Sequence, residues 1–501
     1  MTTRSPSPLR SRALPVMSAD LPRHAAPAPL LVEPLDPRRT HVRAVGQQFM
    51  RNSRPVAPQL HLLHGNGGVG HLFLPDGSRL FDADAPLLDA LRRALDAVQQ
   101  EPDGGAVEAL LARLGVTAEP YVNDEPVQDP PLHALSLAVA QKCNLGCTYC
   151  YAQQGEFGGP ATQMTEGQAL RAVDLLIDQA QPGARINLAF MGGEPLVNRP
   201  VLQAATLHAV QRAAARAVRV TFSVTTNGTL VTPADGEFFE EHGFAVTVSL
   251  DGPRDVHDGQ RPTRSGRGSF DRIMRNIAPL LTMQRRMQVT ARVTVTPANL
   301  GLRHTLDHFV ALGFHSVGFA PMLASPNGQG ELQAADLEVM LGEMIDCGHE
   351  YERRRQRGER YPFANVVNAM REIHRGTHRP YPCGAGAGYL GVSADGELSA
   401  CHRFVGDDAG AMGSLGDGID RARRNRWLAE RHVHRQSPCR ECWARYLCGG
   451  GCHHEVIARG RPACDYVRGW LQYCLGAYLR LTPLFGGGFE PPAVSTPVSV
   501  S

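Results

Sequence analysis

The chain reads as an α/β protein built around a partial (β/α)6 TIM barrel, and two observations carry that reading. Across residues 133–324, apolar strand patterns alternate with amphipathic helical patterns, which calls for a parallel sheet with crossover helices packed outside it. The segments richest in Gly, Asn, Asp and Cys fall just after these strands, at the carboxyl-terminal rim where such barrels keep their chemistry.

The strands expected are 134–140, 186–191, 218–225, 245–250, 289–295 and 316–320. Between them, helical spacing appears over 166–179, with Leu170, Val173, Leu176 and Ile177 on one face, and again over 201–216, 234–241, 270–281 and 302–312. Upstream, residues 61–64 and 71–74 alternate around glycine-rich turns, Asp76-Gly77 marks a hairpin, and helices are expected over 85–97 and 106–114. Strands followed by small helices make a winged-helix-like module. The domain order expected is a disordered leader (1–40), this module (41–130), the barrel (131–325), a charged helical bridging segment (326–380), a cysteine-rich domain (381–480) and a flexible tail (481–501).

Composition narrows the function. With 51 basic and 49 acidic side chains, the 501 residues carry a formal charge of +2, which argues against a polyanion-binding role and against nucleic acid as a partner. No run of eighteen apolar residues exists and the first thirty residues lack an apolar core, so neither a membrane span nor a secretory signal is expected. Twelve cysteines in a chain with these cytoplasmic features point to metal ligation rather than disulfides.

Cys143, Cys147 and Cys150 stand in a C-x3-C-x2-C loop directly after the first barrel strand. Three thiolates are one short of closing a cuboidal iron-sulfur cluster, so one iron is left for an exogenous ligand. The competing readings of such a triplet are buried thiols or a zinc knuckle. After the second strand comes Met191-Gly-Gly-Glu-Pro195, whose glycines Gly192 and Gly193 allow close backbone approach, while the Glu194 carboxylate can accept hydrogen bonds from an ammonium group. Thr226 and Asn227 end the third strand and Ser249 and Asp251 the fourth; each pair is otherwise ordinary turn chemistry.

With Tyr149 before the third cysteine, this arrangement resembles the radical S-adenosylmethionine (SAM) enzymes. The resemblance implies a 4Fe-4S cluster on the three cysteines, with Tyr149 shielding it near the adenine. It also implies that the segment from Gly192 to Pro195 binds the methionyl amine of SAM. Thr226, Asn227, Ser249 and Asp251 would then meet the ribose, the carboxylate or the substrate, with Arg261 as a weaker candidate. The winged-helix-like module resembles the peptide-recognition element of enzymes that modify ribosomally made peptides, its free sheet edge suited to adding a leader peptide as a strand; an ordinary structural cap on the barrel is the alternative.

Eight further cysteines lie near the C-terminal end: Cys383 and Cys401 around a hairpin turning at Asp395-Gly396, then Cys439, Cys442, Cys448 and Cys452 spaced C-x2-C-x5-C-x3-C, then Cys464 and Cys474. A lone C-x2-C reads as zinc, whereas eight cysteines supply two four-sulfur sites. The pattern resembles the SPASM domain with its twin auxiliary clusters. That implies a first auxiliary 4Fe-4S cluster on Cys383, Cys401 and Cys452, and a second on Cys439, Cys442, Cys448 and a later cysteine, Cys464 in preference to Cys474. No thiol follows Cys383 in Gly-Ala-Gly-Ala-Gly-Tyr389, where sulfatase-maturing members carry another cysteine. Unless Cys474 or Cys347 folds in, the first auxiliary cluster keeps an open iron able to bind a substrate thiolate. Cys347 by itself reads as a small buried hydrophobe on a helix.

The resemblance therefore extends to thioether-forming maturases of cysteine-rich precursor peptides and of quinohemoprotein amine dehydrogenase. It implies SAM and three 4Fe-4S clusters as cofactors, a cysteine-containing peptide or small protein as substrate, and a reductant such as flavodoxin or ferredoxin. The reaction expected is reductive cleavage of SAM, hydrogen abstraction from the substrate and coupling of the carbon radical to a cysteine sulfur. His402, beside Cys401, is the expected acceptor of the thiol proton, with a purely structural role as the alternative. Competing products are formylglycine, as in sulfatase maturation, and a carbon-carbon crosslink.

Overall fold

The computed structural model describes residues 37–64, 70–101, 105–117 and 120–485. The segment 1–36, where most of the leader is expected, and the tail from 486 lie outside the described residues. The chain opens with α1 (Pro37–Asn52), then β1 (His61–His64), β2 (Gly70–Leu74), β3 (Arg79–Ala83), α2 (Ala85–Gln100) and α3 (Ala106–Arg113). The central part runs β4 (Ala134–Gln141), β5 (Thr162–Gln163), α4 (Glu166–Asp178), β6 (Arg185–Gly192), α5 (Arg199–Ala215), β7 (Arg219–Thr226), α6 (Pro233–His242), β8 (Ala245–Ser249), α7 (Arg254–Gln260), α8 (Phe270–Met283), β9 (Gln288–Val295), α9 (Leu302–Ala311) and β10 (Ser316–Pro321). Then come α10 (Ala334–Gln356), α11 (Ala364–His374), β11 (Tyr389–Val392), β12 (Glu397–Ser399), β13 (Ala411–Ser414), β14 (Gly418–Ile419), α12 (Arg421–Arg431), α13 (Arg445–Cys448), α14 (His453–Arg459) and α15 (Cys464–Leu481).

All six expected barrel strands form, in the spatial order β10-β9-β8-β7-β6-β4 and parallel throughout. The sheet stays open, because β4 does not meet β10. Its free side pairs instead, in parallel, with β11, setting Tyr389 beside Ala134 and Val392 beside Leu137. The antiparallel strands β12, β13 and β14 continue the same sheet. β4, flanked on both sides, is buried at every position, whereas β9 alternates as a strand with one apolar and one polar face should.

Two helices depart from the expectations. α1 begins at Pro37, inside the span expected to be disordered, and packs against α10 so closely that a Cβ on Gly46 would meet the Glu338 carbonyl oxygen at 1.9 Å. α10 is no loose bridge: thirteen of its residues are buried, with Cys347 wholly enclosed. Its buried carboxylates have partners. Glu352 accepts from the Tyr473 hydroxyl at 2.6 Å and from Arg480, and Glu350 binds Arg353 and Arg354.

The antiparallel sheet β1-β2-β3, backed by α2 and α3 around Leu72, Leu91 and Leu110, has its own small core. Trp443 anchors it to the cysteine-rich region, stacking on His61 at 3.9 Å, meeting the Phe73 ring edge-on and donating its indole N–H to the Ser53 carbonyl at 2.8 Å. Among the described residues, no helix is long and apolar enough to cross a membrane.

Candidate radical-initiating and auxiliary cluster sites

The loop carrying Cys143, Cys147 and Cys150 leaves β4 and is tied down on two sides. On one side, Gly146 N–H donates to the Pro262 carbonyl at 2.9 Å and Thr148 N–H to that of Gln260 at 3.1 Å. On the other, the Gly192-Gly193-Glu194 segment after β6 lies against it: Gly193 N–H reaches Ala140 O at 2.8 Å and Glu194 N–H reaches Lys142 O at 3.0 Å. A Cβ on Gly193 would sit 2.5 Å from the Lys142 carbonyl and 2.8 Å from Gly155 Cα, so the glycine is required by the loop it packs on.

The three thiols share one environment. Burial raises Cys147 to about 12; Arg261 opposes this, while Cys150 and Cys143 add to it. Burial raises Cys143 as well, countered by the Leu145 N–H and reinforced by Glu194 and Cys150. Asn227 Nδ2 approaches Cys143 Sγ at 3.7 Å and also donates to Asn144 Oδ1 at 2.9 Å.

Glu194, expected as an acceptor for an ammonium group, already has donors within the protein. Fully buried, it accepts from Thr226 Oγ1 at 2.8 Å, Asn227 N–H at 2.7 Å and Leu196 N–H at 3.1 Å, and so joins the end of β6 to the end of β7. Burial raises its pKa and these donors pull it back. Pro195, next to it, is buried at the start of the following turn. Tyr149 hydrogen-bonds through its hydroxyl to Asp251 and receives Arg261 Nη1 at 2.8 Å. Asp251 in turn accepts from Thr294 N–H at 3.2 Å, so one buried group links the cysteine loop to β8 and β9. Ser249 lies half-buried at the end of β8 beside this group.

The C-terminal cysteines sort into two sets. Cys401, raised to about 12 by burial and eased by the Arg403 N–H, feels Cys383 and Cys452; Cys383, raised to about 11 by burial, feels Cys452. Cys439, raised to about 12 by burial against Arg461, has Cys448, Cys464 and Cys442 around it. Cys474 and Cys347 join neither set. Cys474 is enclosed in α15 near Glu352, and Cys347 lies in α10 near Glu343 and Asp346. The structure thus brings three thiols together at the first set and four, including Cys464, at the second.

His402 is half-buried, its Nδ1 paired with the Tyr389 hydroxyl at 2.9 Å. Burial, aided by Arg403, His454 and Arg292, holds its pKa down to about 3, so the imidazole is neutral at neutral pH. Sequence reasoning passed over its surroundings. Arg403 pairs with Glu455 at 2.7 Å, reaches Cys452 Sγ at 3.9 Å and lies 5.3 Å from the centre of the Tyr151 ring, connecting the first auxiliary set to the residue after Cys150.

The thiols of the first triplet are a donor set of the kind an iron-sulfur cluster takes. Beside the first triplet, the buried Arg261 Nε and Gln260 Nε2 have no hydrogen-bond partner, leaving donors available to a bound polar cofactor.

The Radical SAM superfamily description fits residues 137–299. The serine-type anaerobic sulfatase-maturating enzyme of Klebsiella aerogenes is 27% identical over 348 residues, covering 67% of this chain and 83% of that protein. The cysteine-type enzyme of Clostridium novyi (strain NT) is 29% identical over 231 residues, covering 43% of this chain and 59% of its own. The structure of native anSMEcpe with bound AdoMet superposes with a TM-score of 0.59 at 19% identity, covering 71% of this chain and 99% of that one, a likeness of fold. Residues 137–299 therefore form a radical SAM domain, and the chain is an enzyme of the radical SAM superfamily, homologous to the anaerobic sulfatase-maturating enzymes.

Proposed function

We propose that this radical SAM maturase forms intramolecular thioether crosslinks, joining a cysteine sulfur to a carbon within a ribosomally made peptide or small protein. The observation that carries the reading is the thiol count: four thiols meet at Cys439, Cys442, Cys448 and Cys464, but three at Cys383, Cys401 and Cys452, with Cys347 and Cys474 elsewhere. Cys143, Cys147 and Cys150 would hold the SAM-binding 4Fe-4S cluster and the other sets two auxiliary clusters. When bound, these groups supply one-electron chemistry able to remove a carbon-bound hydrogen, and a coordination position for a substrate sulfur.

The chain's own residues hold and orient. Glu194, Thr226 and Asn227 fix the triplet loop; Tyr149 and Asp251 anchor its far side; Arg261 and Ser249 would hold the cofactor's polar groups. β1, paired only with β2 among the described residues, offers an edge on which a leader peptide can add as a strand. A flavodoxin or ferredoxin is the proposed electron donor.

A second reading, formylglycine formation, is favoured by the homology to sulfatase-maturating enzymes. One experiment separates them: anaerobic incubation of the reconstituted enzyme with SAM, dithionite and a cysteine-containing peptide, followed by mass spectrometry. A thioether product loses two hydrogens and its thiol no longer alkylates. Formylglycine loses the sulfur and reacts with a hydrazine, and that product would replace the first reading with the second.

A further inference from the structure

β9 carries a charge that neither the cluster sites nor the proposed reaction uses. Val289, Ala291, Val293 and Val295 are all fully buried, on the face that packs the helices. Arg292 stands on the opposite face, in line with Thr290 and Thr294. That face is the polar side of the sheet, where Thr290 and Ser316 hydroxyls meet at 2.8 Å and Ser223 donates to Asn187 at 3.1 Å.

Arg292 is half-buried, and its guanidinium makes no hydrogen bond or ion pair among the described residues. Its charged neighbours are Arg403 and Glu455, and the nearby His402 feels its charge. The single carboxylate among them is engaged, since Glu455 pairs with Arg403 at 2.7 Å. Arg403 also makes the approach to a thiol, at Cys452 Sγ, whereas no sulfur lies within hydrogen-bond reach of Arg292 among the described residues. Gly318 is its register partner on β10, and a Cβ built there would lie 3.9 Å from Arg292 Nη1, so the guanidinium extends over a position without a side chain.

We propose that Arg292 reads a carboxylate on the substrate, an Asp or Glu side chain of the peptide, in the space between the Cys150 loop and the Cys383/Cys401/Cys452 set. A half-buried guanidinium with open donors matches a carboxylate through two parallel N–H···O bonds, a match that a neutral amide cannot make. The position is set by Arg403, which spans from Cys452 to the Tyr151 ring after Cys150, with Arg292 and His402 beside it. The proposal rests on the reading that the substrate is a peptide, and it adds the residue class that the peptide presents near the reacting carbon.

The test is an anaerobic affinity selection on the reconstituted, SAM-loaded full-length enzyme. The probe is a pool of capped heptapeptides with a central cysteine and random flanks of Ala, Ser, Asn, Gln, Asp, Glu and Lys, and retained peptides are sequenced by mass spectrometry. The expected result is about tenfold enrichment of Asp and Glu over Asn and Gln for the native enzyme, the scale of one charged bidentate contact. Arg292→Lys, which keeps the charge but loses the fork, should show a reduced enrichment, and Arg292→Gln none. Absence of acidic enrichment in the native enzyme, or equal enrichment by Arg292→Gln with unchanged iron content, overturns the proposal. So does an Arg292→Gln effect confined to the reduction potentials of the clusters, which would assign the charge to the clusters instead. Thioether formation without acidic preference would sink this inference and leave the proposed function standing, while acidic enrichment with a formylglycine product would do the reverse.

Discussion

Single side chains at this site act mostly by holding backbone. Gly193 shows it best: its missing Cβ lets the segment after β6 lie against Lys142 and Gly155, so Gly193→Ala should displace the cysteine loop. The expected outcome is loss of about four irons, one cluster's worth, with the auxiliary sets still loaded, measured by iron and sulfide analysis after reconstitution. His257 makes a separate prediction. It is fully buried, accepts from Asp251 N–H through Nδ1 and meets the Ser269 hydroxyl at 3.0 Å, and burial together with Arg261 holds its pKa down to about 3. A histidine depressed in the fold contributes stability that is complete above its unfolded pKa of about 6.5 and is lost as pH falls toward 3. Between pH 6.5 and 5 the loss should be about 2 kcal/mol. Thermal melts of His257→Gln should show a correspondingly shallower decline over that interval; an unchanged slope would refute the assignment.

Elements settle how the cysteine-rich region meets everything else. β11 adds to β4 in parallel, so the strand that delivers Cys143 and the hairpin that delivers Cys401 are neighbours in one sheet. Trp443, next to Cys442, does the same for the N-terminal module by filling the space between His61 and Phe73. Trp443→Ala should cost about 3–5 kcal/mol, the range for removing a large buried aromatic. Hydrogen exchange should show the loss concentrated in β1 and β2 and in the Ser53 turn, while β4 to β10 stay protected. Uniform deprotection would mean that the module is not held through this contact.

For the whole molecule, the sorting of twelve cysteines is the decisive result, and it predicts opposite outcomes for two residues ten positions apart. Cys464→Ala should leave the second auxiliary set with three thiols and an open iron, changing that cluster's spectrum, whereas Cys474→Ala should leave iron content and cluster spectra unchanged and lower stability alone. Much of this protein was legible in the chain. The barrel strands and helices were readable because apolar periodicity is local and strong there, and the C-x3-C-x2-C triplet announced its chemistry because three cysteines in one loop need no tertiary partner to be recognised. Periodicity misread α10, whose many charges resemble a solvated bridge until α1 and α15 supply partners from distant sequence. The Met191–Pro195 motif did not show that Thr226 and the Asn227 N–H, some thirty residues away, hydrogen-bond the Glu194 carboxylate. Arg292 left only a faint signal, one charge in an alternating strand, and its meaning depends on which groups stand opposite. The sequence by itself determined the fold class, the radical chemistry and the number of thiols. Only the tertiary structure decided which thiols stand together and which charges are left without partners, because both depend on chain segments brought side by side by β11 and α15 rather than on any local pattern.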